Sequence, residues 1–333
     1  MKLDYTVVIT RFNLVKENGD TEMITNIDVT LRDGGYRNSF EFSQSYAIEH
    51  ARLSVESGTD WVEIGYRGGS INPKTSTGLT GRCDNSYIKT VADTIQPGHV
   101  GVMVHPHNLS STDLKESFDA GAGLVRVCLS LNDLRSGFEC AENAANIGYT
   151  VCVNVTRVSG VTSKKLRQIA QHSSDSGATT LYVADSNGSL NPTETANLIK
   201  TARIHGGLQV GFHAHNHLGL ALANSISAIN SGAVWIDSSV LGMGKGAGNL
   251  ITEQWYAYLA QEAVSPYKFN IGKVTELSDY LRSHVIEANP RIDPTDILMG
   301  YFDLSVEHID DVSSAENWGE RVRIARRLAG VEL

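Results

Sequence analysis

The chain has 333 residues, 41% apolar and 20% charged, with 28 basic against 37 acidic side chains and a net charge of −9. That balance excludes a general nucleic-acid binder, which needs a basic footprint to neutralise phosphates. It leaves room for a small anionic substrate held by a local arginine, a metal ion or a helix N-terminus.

The opening stretch MKLDYTVVITRF lacks the long apolar run of a signal peptide. Residues 5–15 and 21–27 flank Asn18-Gly19, which reads as a hairpin turn. Residues 1–23 are therefore expected to form an N-terminal β-hairpin. Eight strand-like runs follow, at 25–30, 61–65, 99–104, 124–129, 150–156, 180–184, 209–213 and 234–241. Helical patterns lie between them, for example at 43–57, 112–120, 163–176, 192–205 and 220–231. Strands alternating with helices of this length argue for parallel βαβ units. LVRVCLSL, TVCVNVT and TLYVA do not alternate cleanly, as expected of strands covered on both faces. Eight such units close into an α/β (β/α)8 TIM barrel, assigned to residues 24–262; a doubly wound open sheet is the alternative. From about residue 251 the pattern is all helical. Residues 263–333 are expected to form a small C-terminal helical extension, with helices at 303–311 and 318–328.

No run approaches about 20 apolar residues, so no membrane span is expected. Cys83, Cys128, Cys140 and Cys152 form no C-x-x-C pair. A zinc knuckle or redox dithiol is disfavoured, and the lack of a disulfide framework suits a cytoplasmic protein.

Three motifs carry chemistry. Asp28-Val29-Thr30-Leu31-Arg32-Asp33-Gly34-Gly35 ends the first strand, at the barrel face where catalytic groups of this fold sit. Val210-Gly211-Phe212-His213-Ala214-His215-Asn216-His217 ends the seventh. Alternate residues of an extended chain share a side, so His213 and His215 can point at one ion, and His217 can follow if the strand persists. Gly242-Met243-Gly244-Lys245-Gly246-Ala247-Gly248-Asn249 follows the eighth strand and lets backbone approach a ligand closely. Barrel closure sets strand eight beside strand one, so the three motifs become neighbours.

The combination D-x-T-L-R-D-G, H-A-H-N and G-M-G-x-G-A-G-N, in order over roughly residues 25–253, resembles the metallolyase barrel superfamily. That group includes 4-hydroxy-2-oxovalerate aldolases, hydroxymethylglutaryl-CoA lyases, and isopropylmalate and homocitrate synthases. The stretch H-A-H-N-H-L-G-L-A-L-A-N looks most like the hydroxy-oxo-acid aldolase branch. The resemblance implies Asp33, His213 and His215 as metal ligands, with Asn249 completing the set. It implies Arg32 facing the oxygen on which enolate charge develops, Ser186 on a substrate carboxylate, and Tyr301 closing over the substrate. It favours Mn²⁺, while one carboxylate and two imidazoles also suit Mg²⁺, Co²⁺ or Zn²⁺. The same set serves non-haem iron oxygenases, which usually sit on other folds. A 2-oxo acid substrate, an aldehyde dehydrogenase partner and homo-oligomerisation are further expectations.

One position departs from the family. The aldolase branch places a histidine three residues after its Asp ligand, where this chain has Tyr36. A phenol of pKa about 10 is a poor base at neutral pH, although it can donate a proton or hydrogen bond. His105, His107 and His217 are the alternative bases. Glu63 reads as a substrate-side group or as the partner that orients Arg32 or Asp33. Lys245 and Cys83 invite a covalent mechanism that a metal set makes unnecessary. The competing functions are an acyl-CoA-condensing synthase of the same superfamily and a non-catalytic or partner-dependent barrel.

Overall fold

Short β-branched runs form eight parallel strands. They are β1 (Thr25–Asp28), β2 (Trp61–Arg67), β3 (Val100–Val104), β4 (Leu124–Leu129), β5 (Thr150–Val155), β6 (Thr180–Asp185), β7 (Gln209–Ala214) and β8 (Trp235–Ser238). Each pairs with the next, and β8 returns to β1 with Thr25 opposite Trp235 and Asp28 opposite Ser238. The sheet is therefore a closed (β/α)8 barrel, which removes the open-sheet alternative. The computed structural model describes residues 23–75, 77–204, 208–261, 269–288 and 292–331. The expected hairpin at 1–23 lies outside these, apart from Met23.

Helices cover the outside. Gln44–Glu56, Leu134–Ile147 and Ser163–Asp175 start on Ser43, Asp133 and Thr162, whose side chains accept from backbone N–H groups of the first turn. Their apolar faces close a continuous layer against the strands, with Val62, Val102, Val127, Val153, Leu181 and Phe212 all fully buried. A second core fills the barrel floor around Ile27, Leu124, Cys152, Tyr182 and Trp235. Among the described residues, no helix is long and apolar enough to cross a membrane.

After Thr252–Gln261 the described residues hold helices and turns and no strand. Ile271–His284 packs on Gln44–Glu56, with Tyr280 stacked on Tyr46 at 5.2 Å and 3°. Pro294–Tyr301, Ile309–Ser313 and Trp318–Leu328 share a small core of Met299, Leu304, Val312 and Ala325. The helix expected at 303–311 is broken. Asp303 adopts a left-handed φ of 53°, and a short turn at Val306–His308 precedes the helix. Asp303 Oδ1 is instead engaged by Ser159, Asn187 and Ser189 at 2.9, 2.9 and 2.6 Å, which pins this segment to the loops after β5 and β6.

One irregularity bears directly on the barrel interior. The β2–β3 register shifts between Glu63 and Tyr66. Gly65, between them, has a φ of +150°, and a Cβ there would stand 1.9 Å from the Thr80 carbonyl oxygen. In a regular strand residues three apart face opposite sides; the bulge lets Glu63 and Tyr66 both face inward. Gly65→Ala is expected to destabilise the protein by about 2–3 kcal/mol, from strain plus overpacking. An unchanged urea midpoint for this variant would contradict the assignment.

Candidate active site

The first strand stops earlier than its apolar run implies. Asp28 Oδ1 accepts from the Thr30 backbone N–H at 2.8 Å and also from the Thr30 hydroxyl. This local bond bends the chain, so that Thr30–Asp33 is a helical turn instead of strand. Arg32 and Asp33 thereby reach the cavity at the C-terminal ends of the strands, a space of about 600 Å³. β8 likewise ends at Ser238, before the expected residue 241, and turns at Val240–Gly242.

His213 sits on β7, and His215 lies just beyond it, bridged to Asn249 of the Gly-rich loop. One ligand atom from each of Asp33, His213 and His215 lies within 4.8 Å of the others. The two imidazole Nε2 atoms are 3.3 Å apart, and His215 Nε2 is 3.8 Å from Asp33 Oδ2. Two ligands about 2.1 Å from one ion, at angles from right to tetrahedral, stand about 3.0–3.4 Å apart. The imidazole pair has that spacing and the His215–Asp33 pair exceeds it by about 0.4 Å, so a small inward shift of Asp33 would let the three donors hold one divalent cation.

Electrostatics point the same way. Asp237 Oδ2 lies 2.9 Å from His213 Nδ1. A proton held there leaves the Nε2 lone pair facing the site. Asp237 also takes both Arg126 Nη atoms, at 2.5 and 2.9 Å. Arg126 Nε lies 2.9 Å from Glu63 Oε1, off the line of a hydrogen bond. Glu63 Oε2 takes Arg32 Nε at 2.6 Å, and Arg32 Nη1 reaches Asp33 Oδ1 at 2.9 Å. Three carboxylates against two guanidiniums leave one uncompensated negative charge, which suits a bound cation. Burial opposes ionisation of Asp33, but Arg32, His215, His213 and Asn249 outweigh it and hold the carboxyl well below its usual range. Burial pushes His215 down to about 3, so its ring is neutral at pH 7 and one ring nitrogen keeps a lone pair.

Asn249 donates Nδ2 to Asp33 Oδ2 at 2.7 Å, while its buried Oδ1 has no protein partner. The Gly-rich loop makes room for this contact. A Cβ on Gly244 would lie 2.3 Å from Asn249 Nδ2 and 2.9 Å from Asp33 Oδ2.

The other expected residues divide. Tyr36, His105 and Ser186 line the cavity. Tyr36 stands 3.4 Å from the Tyr66 hydroxyl, and burial raises its pKa, so the phenol stays protonated. Ser186 Oγ accepts from the Arg157 backbone N–H at 2.9 Å. His105 stacks on Tyr66 at 5.6 Å. Burial, followed by His107 and Arg32, pushes it down to about 4. His107 is an exposed rim residue. His217 is buried beneath Gly246 and does not line the cavity. Glu63 is fully buried, bonds to Arg32 and lies outside the cavity lining, so the structure does not bring it to the substrate-side position expected of it. Tyr301 is 73% exposed, packs edge-on against Phe302, and lies outside the cavity lining, contrary to its expected role over the substrate. Cys83 turns towards Thr80, away from the cavity, and Lys245 pairs with Glu307 at 3.6 Å.

Arg126 and Asp237 were not anticipated. Their signal was a lone charge inside a strand otherwise closed to water, in LVRVCL and WIDS. Such charges are rarely buried without a partner.

The sequence model of the HMGL-like family matches residues 23–281. The chain is 31% identical over 235 residues to 4-hydroxy-2-oxovalerate aldolase of Carboxydothermus hydrogenoformans, covering 71% of this chain and 70% of that one. It is 27% identical over 281 residues to 4-hydroxy-2-oxovalerate aldolase of Brevibacillus brevis, covering 84% and 82%. The fold is similar to the N-terminal domain of a putative aldolase from Bacteroides vulgatus, with a TM-score of 0.78, 24% identity, and coverage of 90% of this chain and 99% of that one.

His105 gives a pH test. Its folded pKa, about 4, lies below the unfolded value of about 6.5. The unfolded chain therefore binds more protons between those values, and stability falls as pH drops through that window. In metal-free protein, His105→Gln is expected to flatten the slope by up to about 1.4 kcal/mol per pH unit, read by urea unfolding from pH 7 to 4. An unaltered slope would place His105 in a solvated setting.

Proposed function

Because the chain belongs to the HMGL-like family, we propose that this aldolase-type lyase acts, with a divalent metal, on 4-hydroxy-2-oxo acids. The bond it would break or make lies between carbons 3 and 4. The observation that carries this reading is the convergence of Asp33, His213 and His215 at the cavity, beside Arg32 Nη2, which makes no hydrogen bond among the described residues. A metal held by Asp33, His213 and His215, with Asn249 Oδ1 adjacent, would supply Lewis acidity to the substrate's 2-oxo group. Mn²⁺ is the proposed ion, on the family likeness.

The protein's own groups account for the remaining work. Arg32 Nη2 is a buried donor with no hydrogen-bond partner among the described residues, Asp237 Oδ2 standing 4.0 Å away. It would stabilise the oxygen on which enolate charge grows. Ser186 Oγ keeps its own proton to donate to the substrate carboxylate. In the cleavage direction His105, neutral at pH 7, takes the proton of the 4-hydroxyl. The bond between carbons 3 and 4 then breaks, the aldehyde leaves, and protonation of carbon 3 gives pyruvate. Tyr36, held protonated, donates a hydrogen bond to the departing oxygen and does not act as the base. Glu63, Arg126 and Asp237 touch no substrate; they hold Arg32 and His213 in place.

Pyruvate release from 4-hydroxy-2-oxo acids by purified, Mn²⁺-supplemented protein tests the reading. Asp33→Ala is expected to abolish both Mn²⁺ binding by calorimetry and turnover. Full activity of that variant under chelator would defeat the metal mechanism. Asp237→Asn is expected to weaken Mn²⁺ binding about 10–100-fold through misorientation of His213. His105→Ala should lower kcat about 10²–10⁴-fold. A smaller loss for His105→Ala would remove it as the base.

A further inference from the structure

The cavity extends well beyond the metal-ligand cluster. Asp33, His213 and His215 belong to the β7–β8–β1 side, whereas the opposite wall is built by the ends of β4 and β5. On that wall Cys128 and Ser130 share a side of β4, and Asn154 and Thr156 share a side of β5, by the two-residue repeat of extended chain. Asn132 follows at the rim. Asn154 is the informative member. It is 4% exposed, lines the cavity, and its Oδ1 has no hydrogen-bond partner among the described residues. Its Nδ2 has only a 3.8 Å contact with Cys128 Sγ. A buried carbonyl acceptor without a donor is costly, and a ligand donor relieves it.

The donor is not a phosphate or carboxylate, because an ionised anion only accepts. Nor do the described residues at this end of the cavity offer an anion a cation without a carboxylate neighbour. Arg157 and Lys245 are both engaged by Glu307, at 3.0 and 3.6 Å, and Asp133 adds a further carboxylate to the lining. A short aliphatic aldehyde would leave Asn154 Oδ1 unsatisfied and most of the 600 Å³ unfilled. A carbon chain bearing several hydroxyls satisfies the acceptor and meets Ser130, Asn132 and Thr156 with its remaining oxygens.

Resting on the aldolase reading above, we infer that the aldehyde half of the substrate is a polyhydroxylated chain of the aldose class, bound through Asn154 and Thr156. The product of condensation is then a 4-hydroxy-2-oxo sugar acid. In that direction a base removes a proton from the pyruvate methyl group, and the resulting carbon forms a bond to the aldehyde carbon. The aldehyde oxygen takes up one proton. One pyruvate and one aldehyde give one product, with no other co-reactant.

The test compares kcat/KM at fixed pyruvate for D-erythrose and D-glyceraldehyde with that for propanal, acetaldehyde and glyceraldehyde 3-phosphate. The hydroxylated aldehydes are expected to lead both aliphatic ones by at least about tenfold. Asn154→Leu should lower the ratio for erythrose over propanal by about the same factor. Thr156→Val, at a half-buried position, provides the parallel measurement if the first variant does not fold. A preference for propanal or acetaldehyde overturns the inference, as does a preference for the phosphorylated aldehyde. Exchange of pyruvate methyl protons with deuterated water, followed without any aldehyde, separates the two levels. Exchange with an aliphatic preference sinks the substrate class alone; no exchange sinks the aldolase reading and this inference with it.

Discussion

The barrel and its site depend on one buried chain of charge. It runs from Asp33 through Arg32, Glu63, Arg126 and Asp237 to His213, and so joins two of the proposed metal ligands from behind. Glu63 and Arg126 are entirely buried. In so dry a setting each charge is tolerable only while its partners stay in reach. Arg126 gains a further contact, with its guanidinium 3.9 Å from the Tyr182 ring centroid. Because the members come from the turn after β1 and from β2, β4, β7 and β8, no strand of this set can shift without stranding a charge. Such networks add little net stability compared with an apolar core. Their value here is geometric: one arrangement of strands gives every charge an opposite neighbour, and that arrangement also brings Asp33 and His213 together.

The alternation of apolar strand and amphipathic helix was enough to read eight units and their closure, and the motifs named Asp33, His213 and His215, which converge at the cavity. The bounds were less legible. β1 was expected to include Thr30, but a side-chain bond from Asp28 outcompetes strand pairing there. The run at 303–311 has helical composition, yet Asp303 is drawn into a left-handed conformation by three hydrogen bonds from distant loops. Neither event is encoded by local pattern. Arg126 and Asp237 stand out as charges inside apolar runs and became interpretable only once barrel closure brought them to Glu63 and His213 in the interior. Tyr301 illustrates the opposite failure: a motif-based role assigned to a side chain that faces solvent.

The C-terminal segment completes the mouth of the cavity. Asp303 fastens it to the loops after β5 and β6, and Glu307 spans Arg157 and Lys245 across the rim. Ser305, Val306 and Glu307 line the cavity in consequence. The Glu307 pairs are partly exposed and screened, so their attraction is modest. Their larger effect is to share one carboxylate between two cations, which halves the positive charge that would otherwise recruit anions to the rim.

The replacement of a histidine by Tyr36 gains a physical meaning in this setting. Tyr36, Phe40 and Tyr66 pack edge-to-face at 5.0–6.1 Å, and Tyr66 carries His105 on its other side. An imidazole at position 36 would enter this cluster close to Arg32 and to Lys245, whose ammonium lies 5.0 Å from the Tyr36 ring. Two neighbouring cations disfavour a protonated imidazole, whereas a neutral phenol tolerates them and offers Lys245 its ring face. On the proposed reading the base then moves from the turn after β1 to the end of β3. That relocation draws the reacting hydroxyl, and the aldehyde chain behind it, towards the β4–β5 wall, where Asn154 keeps an acceptor unfilled.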